Sequence, residues 1–246
     1  MNSPLALQLY TVRDAWEADP GETLARVAAI GYGAVEPYDI LSDPTGLRDL
    51  LDRHGLAICS THAPVLAERQ DEIFAAAAVV GVDTIIAPGI TAEHWTGPAA
   101  VRTIADRLNA AARAAAGHGL RIGYHNHFWE LELIIDGRPA LEALAEWTDP
   151  EVILELDVYW AAAAGVDVPD LLGRLGDKVR YLHVKDGPAD KVGPWTAVGA
   201  GRVDIPPILD AAKAAEWWAV ELDECATDLF DALAESHTYL TEYRGN

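Results

Sequence analysis

A chain of 246 residues, half of them hydrophobic, can bury one large core and fits one large domain better than two small ones. Its formal net charge of −21 disfavours nucleic acid and anionic membranes as partners, because both are bound through clusters of Lys and Arg. No apolar stretch reaches the roughly 18 residues of a membrane span, and MNSPLALQLYTVRD lacks the features of a secretory signal. We therefore expect a cytoplasmic protein in which Cys59 and Cys225 are reduced core thiols.

Short runs of β-branched and aliphatic residues alternate along the chain with Ala- and Leu-rich stretches of helical spacing. The predicted strands are LALQL near residue 7, GAVEP near 35, LAICST near 58, TIIAP near 86, RIGYH near 123, VILELD near 154, VRYLHV near 181 and WWAVEL near 219. The predicted helices are Glu22 to Ile30, Gly46 to His54, Asp71 to Val80, Pro98 to Gly117, 138–147, 167–175, 205–215 and 228–243.

This regular alternation indicates parallel strands joined by right-handed crossovers, and eight units favour an α/β fold closed into a (β/α)₈ TIM barrel. An open dinucleotide-binding sheet would place a glycine-rich turn after the first strand, where LYTVRD stands instead. No linker, low-complexity tract or charge block divides the chain. The sequence therefore predicts a single TIM-barrel domain over residues 1–246.

The functional residues of such barrels lie at the carboxyl ends of the strands. Titratable side chains stand at these ends or just beyond them: Glu36, His62, His125, His127, Glu130, Glu132, Asp157, His183, Lys185, Asp186, Glu221, Asp223 and Glu224. The fourth strand ends in Ala87-Pro88-Gly89 and offers no titratable side chain. Carboxylates and imidazoles concentrated at one rim predict a functional site there.

Several of these residues allow both a functional and a purely structural interpretation. Asp157 closes an apolar strand, where a buried carboxylate is costly unless it is paired or binds a metal; alternatively it caps the next helix. His183 lies on one strand face with Lys185, and the neighbouring acidic and imidazole strand ends favour a ligand role for it. Lys185 contacts a substrate oxygen or pairs with an acid. Trp160 forms a wall against a sugar face or packs in the core.

The fifth strand, in GYHNHFWELE, leaves the site's remaining member open. Alternation puts His125 and His127 on the same side, and Glu130 follows after a short turn. Any of the three can complete the site. Glu221 enters it from the last strand.

Several segments together resemble the xylose isomerase-like TIM barrels. They occur in the family's order, nearly from end to end: LQLYTVRD, GYGAVEPY, STHAP, GYHNHFWELE, LELDVYWAAAAG, YLHVKDG, AVGAGRVD at 197–204 and VELDE. The resemblance is to the sugar phosphate isomerase/epimerase branch, which also holds inosose dehydratases and endonuclease-type members. Residues 198–204 contact a ligand or only turn the chain.

The resemblance implies one divalent metal ion, Mn²⁺, Co²⁺, Mg²⁺ or Zn²⁺, held by a Glu, an Asp, a His and a Glu from strands five to eight. Carried over by position, the ligands are Asp157, His183 and Glu221. His125 stands where many relatives have Glu, and we predict that Glu130 restores the carboxylate. The predicted substrate contacts are Glu36, His62, Trp160 and Lys185.

The resemblance further implies isomerase or epimerase chemistry on a sugar or sugar phosphate. A proton next to a carbonyl is removed, and the metal stabilises the resulting enediolate. Glu130 and Glu221 form the acid–base pair, or His125 or His127 is the base. The alternative is a dehydratase or lyase acting on an inosose or 3-keto-sugar, since the first step is shared.

Two other classes of function receive less weight. An endonuclease-type phosphodiesterase would use further His ligands from strands three and four; His62 matches the third, but Pro88 occupies the fourth. The second is a non-catalytic sugar-binding barrel. We expect a small sugar-like partner, with no nucleic acid or membrane, and leave assembly into a homo-oligomer open.

Overall fold

The computed structural model describes residues 4–245, so both ends of the predicted domain, residues 1 and 246, lie outside the described residues. The strands are β1 Leu5–Gln8, β2 Ala34–Glu36, β3 Ala57–Ile58, β4 Thr61–His62, β5 Thr84–Pro88, β6 Arg121–His125, β7 Ile134–Ile135, β8 Arg138–Pro139, β9 Ile153–Asp157, β10 Val179–Val184 and β11 Trp217–Val220. The helices are α1 Arg13–Ala18, α2 Pro20–Ile30, α3 Pro44–His54, α4 Gln70–Val80, α5 Pro98–Ala116, α6 Trp129–Glu132, α7 Ala140–Trp147, α8 Val158–Ala163, α9 Val168–Leu175, α10 Ile205–Ala211 and α11 Leu229–Gly245.

Within residues 4–245, nine strands form one sheet in the order β3-β2-β1-β11-β10-β9-β6-β5-β4. Every neighbouring pair in it is parallel. β3 and β4 are two pieces of the third predicted strand, interrupted at Cys59 and Ser60; β3 pairs with β2, whereas β4 pairs with β5. This segment brings the two edges of the sheet together. The predicted TIM barrel is confirmed, with its third strand in two pieces.

Aspartate–proline signals start several of the surrounding helices. Asp19 and Asp43 each precede a proline, and their side chains accept the backbone N–H of Glu22 and Gly46. Such a cap satisfies a free backbone donor and contributes about 1 kcal/mol, while proline fixes the φ angle of the first turn. Asp167 caps α9 in the same way. The capped helices therefore begin within two residues of their predicted starts.

The boundaries that differ from prediction have local causes. α7 begins at Ala140 rather than at 138, because Arg138–Pro139 pairs antiparallel with β7. α10 ends at Ala211 instead of 215. Three further helices, α1, α6 and α8, were not predicted, because they have four to six residues and are too short to show a helical period. None of the described helices combines the length and apolarity needed to cross a membrane.

The two cysteines occupy different surroundings. Both are free, and Cys59 is buried inside the barrel as predicted. Cys225 lies in the loop after β11 and is partly exposed, so its prediction as a core thiol is wrong. The strand that precedes Cys225, β11, ends at Val220, so the strand pattern read from VELDEC does not reach the cysteine.

Inside the barrel a small apolar layer lies beneath a polar one. The apolar layer contains Ala6, Ala34, Cys59, Ile86, Ile153, Tyr181 and Ala219. At Gly123 a Cβ would lie 2.4 Å from Ile86 Cδ1, so this crowded layer requires glycine. Because side chains alternate along a strand, the next inward positions carry mainly polar residues, namely Gln8, Glu36, Pro88, His125, Glu155, His183 and Glu221. Strand periodicity thus places the polar cluster at the carboxyl end of the barrel.

Candidate metal centre and active-site cavity

Four buried side chains meet at this end of the barrel: His125 on β6, Asp157 on β9, His183 on β10 and Glu221 directly after β11. Each offers one ligand atom, and these atoms lie within 4.8 Å of one another. The four strands are consecutive in the sheet, so their parallel alignment brings their ends together. We call these residues the mouth group. It unites three predicted ligands with His125, which stands in place of the predicted Glu130.

Asp157 shows that the mouth group suits a cation. Its Oδ1 accepts the Trp160 backbone N–H at 2.9 Å and caps α8, as one of its two interpretations predicts, while metal binding by Asp157 stays a prediction. Within the described chain, its buried Oδ2 has no hydrogen-bond partner; Lys185 Nζ lies 3.0 Å away but outside hydrogen-bond geometry. Burial raises the pKa of Asp157 to about 6, although Lys185 acts in the opposite direction. A buried oxygen without a partner is costly, and a divalent cation would supply one.

His183 joins the mouth to the interior. Its Nδ1 lies 2.8 Å from Glu221 Oε2, and its Nε2 lies 2.6 Å from Glu36 Oε2. Burial alone would disfavour its charged form, but Glu155, Glu221 and Glu36 together raise its pKa well above the ordinary value. In this arrangement one imidazole nitrogen faces the mouth group and the other is held by buried carboxylates.

Lys185 pairs with acids, as one of its two interpretations proposes. Its buried Nζ lies 3.0 Å from Asp157 Oδ2, 2.6 Å from Glu221 Oε2 and 3.0 Å from Asp223 Oδ2. Burial opposes its charge, but these carboxylates raise its pKa well above the ordinary value. Lys185 also lines the cavity described below, so contact with a substrate stays a prediction.

A second set of four, His62, His125, Glu155 and His183, lies deeper, and we call it the inner group. Glu155 Oε2 is 2.7 Å from His62 Nε2 and 3.1 Å from both His125 Nδ1 and His183 Nε2. Glu155 was not among the residues predicted from the sequence. A charged residue inside the apolar run VILELD, two positions before Asp157 and therefore on the same strand face, was the signal that could have identified it.

Glu36 lies in the interior and is fully buried. Its carboxylate accepts Gln8 Nε2–H at 2.9 Å and the Ser60 hydroxyl at 2.5 Å, and it faces His183 Nε2. It is absent from the residues that line the cavity. The structure therefore places this predicted substrate contact behind the mouth group, in contact with His183.

Glu130 is placed away from both groups. Its Oε1 accepts the Tyr124 hydroxyl at 2.7 Å, and its Oε2 accepts the His127 backbone N–H at 2.9 Å. It is fully buried, and this burial raises its pKa to about 8. The turn after β6 does fold back, but it directs the carboxylate to Tyr124 instead of the mouth group. The fifth-strand member of that group is His125.

We expect Glu130→Gln to bind a divalent metal as the wild type does, because Glu130 belongs to neither group. The folded-state pKa of about 8 exceeds the ordinary 4.5, so the stability that depends on protonated Glu130 is complete below pH 4.5 and is lost as the pH rises through 8. Glutamine has no proton to lose. Relative to wild type, its free energy of unfolding should increase by roughly 2–4 kcal/mol between pH 5 and pH 8.5, measured by urea denaturation of metal-free protein. Loss of metal binding would instead identify Glu130 as a ligand.

A cavity of about 430 Å³ opens above the mouth group. It is lined by Tyr10, Tyr38, His62, Pro88, His125, His127, Lys185, Glu221 and Asp223. The volume falls in the range of about 300–1,000 Å³ typical of small-molecule sites. Predicted site residues from several strands therefore line the same cavity. Pro88, from the fourth predicted strand, also lines it but offers no ligand atom for a metal.

His127 is held rigidly beside this cavity. Its ring stacks on Trp129 with centroids 4.4 Å apart and planes 7° apart. Gly89, at φ +35°, leaves the space that the ring occupies, since a Cβ there would lie 2.5 Å from His127 Nδ1. Burial, together with the charge of Lys185, lowers the pKa of His127 to about 4. A neutral imidazole outside the mouth group thus faces the cavity.

Trp160 belongs to an aromatic cluster beneath the rim. It is 8 % exposed, and its ring centroid lies 5.5 Å from Phe128, 5.5 Å from Tyr159 and 5.7 Å from Trp195. It does not line the cavity. The structure therefore favours packing over a wall against the sugar.

Asp186 anchors the loop that contains residues 197–204. Its carboxylate accepts the backbone N–H groups of Gly187, Gly199, Gly201 and Val203. A Cβ at Gly201 would lie 2.1 Å from Asp186 Oδ1, so glycine is required for this close approach. The loop is turned by a buried carboxylate, and its glycines serve that turn.

Residues 24–242 match the family model of the xylose isomerase-like TIM barrels. The chain belongs to this family. An inosose dehydratase of Geobacillus kaustophilus is 26% identical over 265 residues, covering 89% of this chain and 83% of that protein. A sugar phosphate isomerase/epimerase structure from Parabacteroides distasonis aligns with a TM-score of 0.84 at 22% identity and covers 97% of this chain and 93% of that chain. The structure of the IolI protein, solved with a zinc atom, aligns with a TM-score of 0.71 at 14% identity and covers 98% of this chain and 97% of that chain.

The structural likenesses to the xylose isomerase-like barrels show the fold, at identities of 22% and below. Among curated relatives, an inosose dehydratase of Geobacillus thermodenitrificans is 28% identical over 180 residues, which span 64% of this chain and only 57% of that protein. The predicted family is confirmed, and the reaction of this chain has to be argued from its own site.

Proposed function

We propose that this xylose isomerase-like barrel is a divalent-metal-dependent enzyme that isomerises or epimerises a sugar-like substrate. The reaction begins by removal of a proton from a carbon next to a carbonyl. The observation that carries the proposal is the mouth group, whose buried Asp157 Oδ2 makes no hydrogen bond, at the base of a cavity of about 430 Å³. The proposed ligands are His125, Asp157, His183 and Glu221.

The donor set narrows the choice of metal. Two imidazole nitrogens and two carboxylate oxygens, with no thiolate, favour Zn²⁺, Co²⁺ or Mn²⁺ over Mg²⁺, which prefers oxygen ligands and water. When bound, such an ion supplies Lewis-acid stabilisation, worth several kcal/mol, of the negative charge that develops on the substrate's carbonyl oxygen.

The cavity favours an uncharged sugar over a sugar phosphate. Among the described residues that line it, Lys185 carries the only permanent positive charge, and three carboxylates within 3.0 Å already neutralise it. With a divalent cation bound, its charge and that of Lys185 are balanced by these three carboxylates, so no net positive charge is left for a phosphate. Tyr10 and Tyr38 offer two aromatic rings, with centroids 5.4 Å apart, to the apolar face of a sugar ring.

His127 moves the substrate proton in this proposal. It lines the cavity, lies outside the mouth group and is neutral, so one ring nitrogen has a free lone pair, although a pKa of about 4 makes His127 a weaker base than an ordinary histidine. The stack on Trp129 holds the His127 ring in one orientation, so little conformational entropy of the side chain is lost when the transition state forms. Lys185 and His62, on the same wall, orient the hydroxyl groups of the substrate.

Dehydration of an inosose or another keto-polyol is the second candidate. The observation that favours it is the match to the inosose dehydratase of Geobacillus kaustophilus, which extends over 89% of this chain. The same proton is removed first, and a hydroxyl group on the next carbon then leaves as water. His127 and Lys185 lie where they can assist either outcome.

The other partner predictions belong to this proposal. A net charge of −21 and the absence of a ligand atom at Pro88 weigh against an endonuclease-type phosphodiesterase. We propose a cytoplasmic enzyme with a small neutral substrate and no nucleic-acid or membrane partner.

Proton exchange in D₂O tests the proposed function directly. Zn²⁺-, Co²⁺- or Mn²⁺-loaded protein, incubated with a panel of ketoses and keto-inositols, should exchange a substrate proton for deuterium, followed by NMR. A new sugar isomer identifies isomerisation, and an unsaturated or deoxy-diketo product identifies dehydration. Chelation should abolish exchange, and one equivalent of metal should restore it. Binding of substrates without exchange, or exchange that survives complete removal of metal, would refute the proposal.

A further inference from the structure

Glu155 is a buried carboxylate for which the chemistry at the mouth gives no direct role. We infer that Glu155 is a positioning residue that holds ring protons of His125 and His183 in the interior, so that both imidazoles present their mouth-facing nitrogens to a metal. The inference rests on the proposed function, because it assigns a task within the same metal site.

The atoms facing each nitrogen define this task. Glu155 Oε2 lies 3.1 Å from His125 Nδ1 and 3.1 Å from His183 Nε2. An ionised carboxylate only accepts hydrogen bonds, so these two nitrogens carry the protons. His183 Nδ1 also faces a carboxylate, that of Glu221, so it too carries a proton until a metal binds. With a metal bound, each ring is neutral and its lone pair is on the mouth-facing nitrogen. His125 Nε2 lies 3.9 Å from Asp157 Oδ2, and His183 Nδ1 lies 2.8 Å from Glu221 Oε2, so both lone pairs are in the mouth group.

Other buried groups support the same proton placement. Glu36 Oε2, 2.6 Å from His183 Nε2, is the nearer acceptor for that ring, and Glu155 Oε2 at 3.1 Å assists it, whereas His125 Nδ1 depends on Glu155. His62 Nε2 lies 2.7 Å from Glu155 Oε2, and the His62 ring stacks on His183 with planes 8° apart. His62 on β4 therefore holds the Glu155 carboxylate in place, while that carboxylate contacts His125 on β6 and His183 on β10. Carboxylates that accept the second N–H of ligating histidines orient the ring and raise its basicity in many metal sites.

The inner group does not serve as a second metal site under this inference. His125 and His183 belong to both groups. A metal in each group would require both nitrogens of both rings to lose their protons, whereas a neutral imidazole has one donor and one acceptor nitrogen. Glu155 Oε2 already has three nitrogen neighbours. One metal ion per chain is expected.

Three variants and Co²⁺ titration test the inference. Glu155→Leu removes the acceptor and should weaken Co²⁺ binding 10–100-fold, with a changed visible absorption spectrum of the bound ion. Glu155→Gln keeps an acceptor oxygen and should recover most of the affinity and the wild-type spectrum. Glu142→Leu is the matched control, since Glu142 is also a buried carboxylate but pairs with Arg174 on the helical layer. It should leave affinity and spectrum unchanged.

The wild-type protein offers a test that does not depend on variants folding. With ¹⁵N-labelled histidine and bound Zn²⁺, long-range ¹H–¹⁵N spectra should show His125 protonated at Nδ1 and His183 at Nε2. The opposite proton positions would overturn the inference, as would equal Co²⁺ affinity and spectra in wild type and Glu155→Leu; the proposed function would survive both. Two Co²⁺ ions in wild type and one in Glu155→Leu would make Glu155 a ligand and also overturn it. Failure of wild type to bind Co²⁺ would overturn both proposals.

Discussion

Asp157→Asn should lower turnover by about 10³-fold or more, because loss of a charged ligand removes several kcal/mol of charge stabilisation in the transition state. Asparagine keeps the oxygen that accepts the Trp160 N–H, so the cap of α8 is preserved. It replaces the partnerless Oδ2 with an uncharged group. Metal affinity should therefore fall by more than the 10–100-fold that loss of an outer partner typically causes. Calorimetric metal titration and steady-state kinetics measure the two effects.

The matched control for this variant is Asp167→Asn. Asp167 is exposed, and its side chain caps α9 by accepting the Asp170 N–H at 3.0 Å. The substitution is chemically identical and occurs at the same kind of helix start, but it is outside the cavity lining. Wild-type metal affinity and turnover are expected. If Asp157→Asn behaved like this control, the role of Asp157 would be only to cap α8, and the proposed metal centre would be wrong.

His127→Asn should reduce turnover by 10²–10⁴-fold, the usual contribution of a general base, while metal affinity stays at the wild-type value. The two effects separate because His127 lines the cavity but belongs to neither the mouth group nor the inner group. The pKa of about 4 keeps the imidazole neutral at neutral pH, so His127 should lose its ability to accept a proton only as the pH falls towards 4. Rates of substrate proton exchange and metal titration separate the two quantities.

The exposed His94 provides the corresponding control, since His94→Asn changes an imidazole outside the cavity lining. Its turnover should equal that of wild type. A His127 variant with full proton exchange would exclude this residue as the base and leave Glu221 or His125 for that role. A His127 variant that lost its metal would instead show that the ring is a ligand.

The sequence predicted the barrel because the alternation of strands and helices repeats along the whole chain, and parallel strands put their carboxyl ends on one side. The same rule placed Asp157, His183 and Glu221 at one rim, since each lies at or next to the end of a strand, while their role as ligands was implied by the family resemblance. The interruption of the third strand at Cys59 and Ser60 could not be predicted, because it depends on which neighbour each half pairs with.

The choice between His125 and Glu130 also lay beyond the sequence. Both follow from GYHNHFWELE, but the Tyr124 hydroxyl and the His127 N–H direct the Glu130 carboxylate away from the mouth group. That direction depends on the conformation of a short turn and helix, which no periodicity specifies. Glu155 could have been identified from strand alternation, whereas its contacts with three histidines required the closed barrel.

Anomalous X-ray diffraction from crystals grown with Zn²⁺ or Co²⁺ tests the central claim most directly. Data collected on both sides of the metal absorption edge should show one strong peak per chain, bounded by His125, Asp157, His183 and Glu221. A peak elsewhere in the barrel, or no ordered metal at saturating concentration, would contradict the proposed centre.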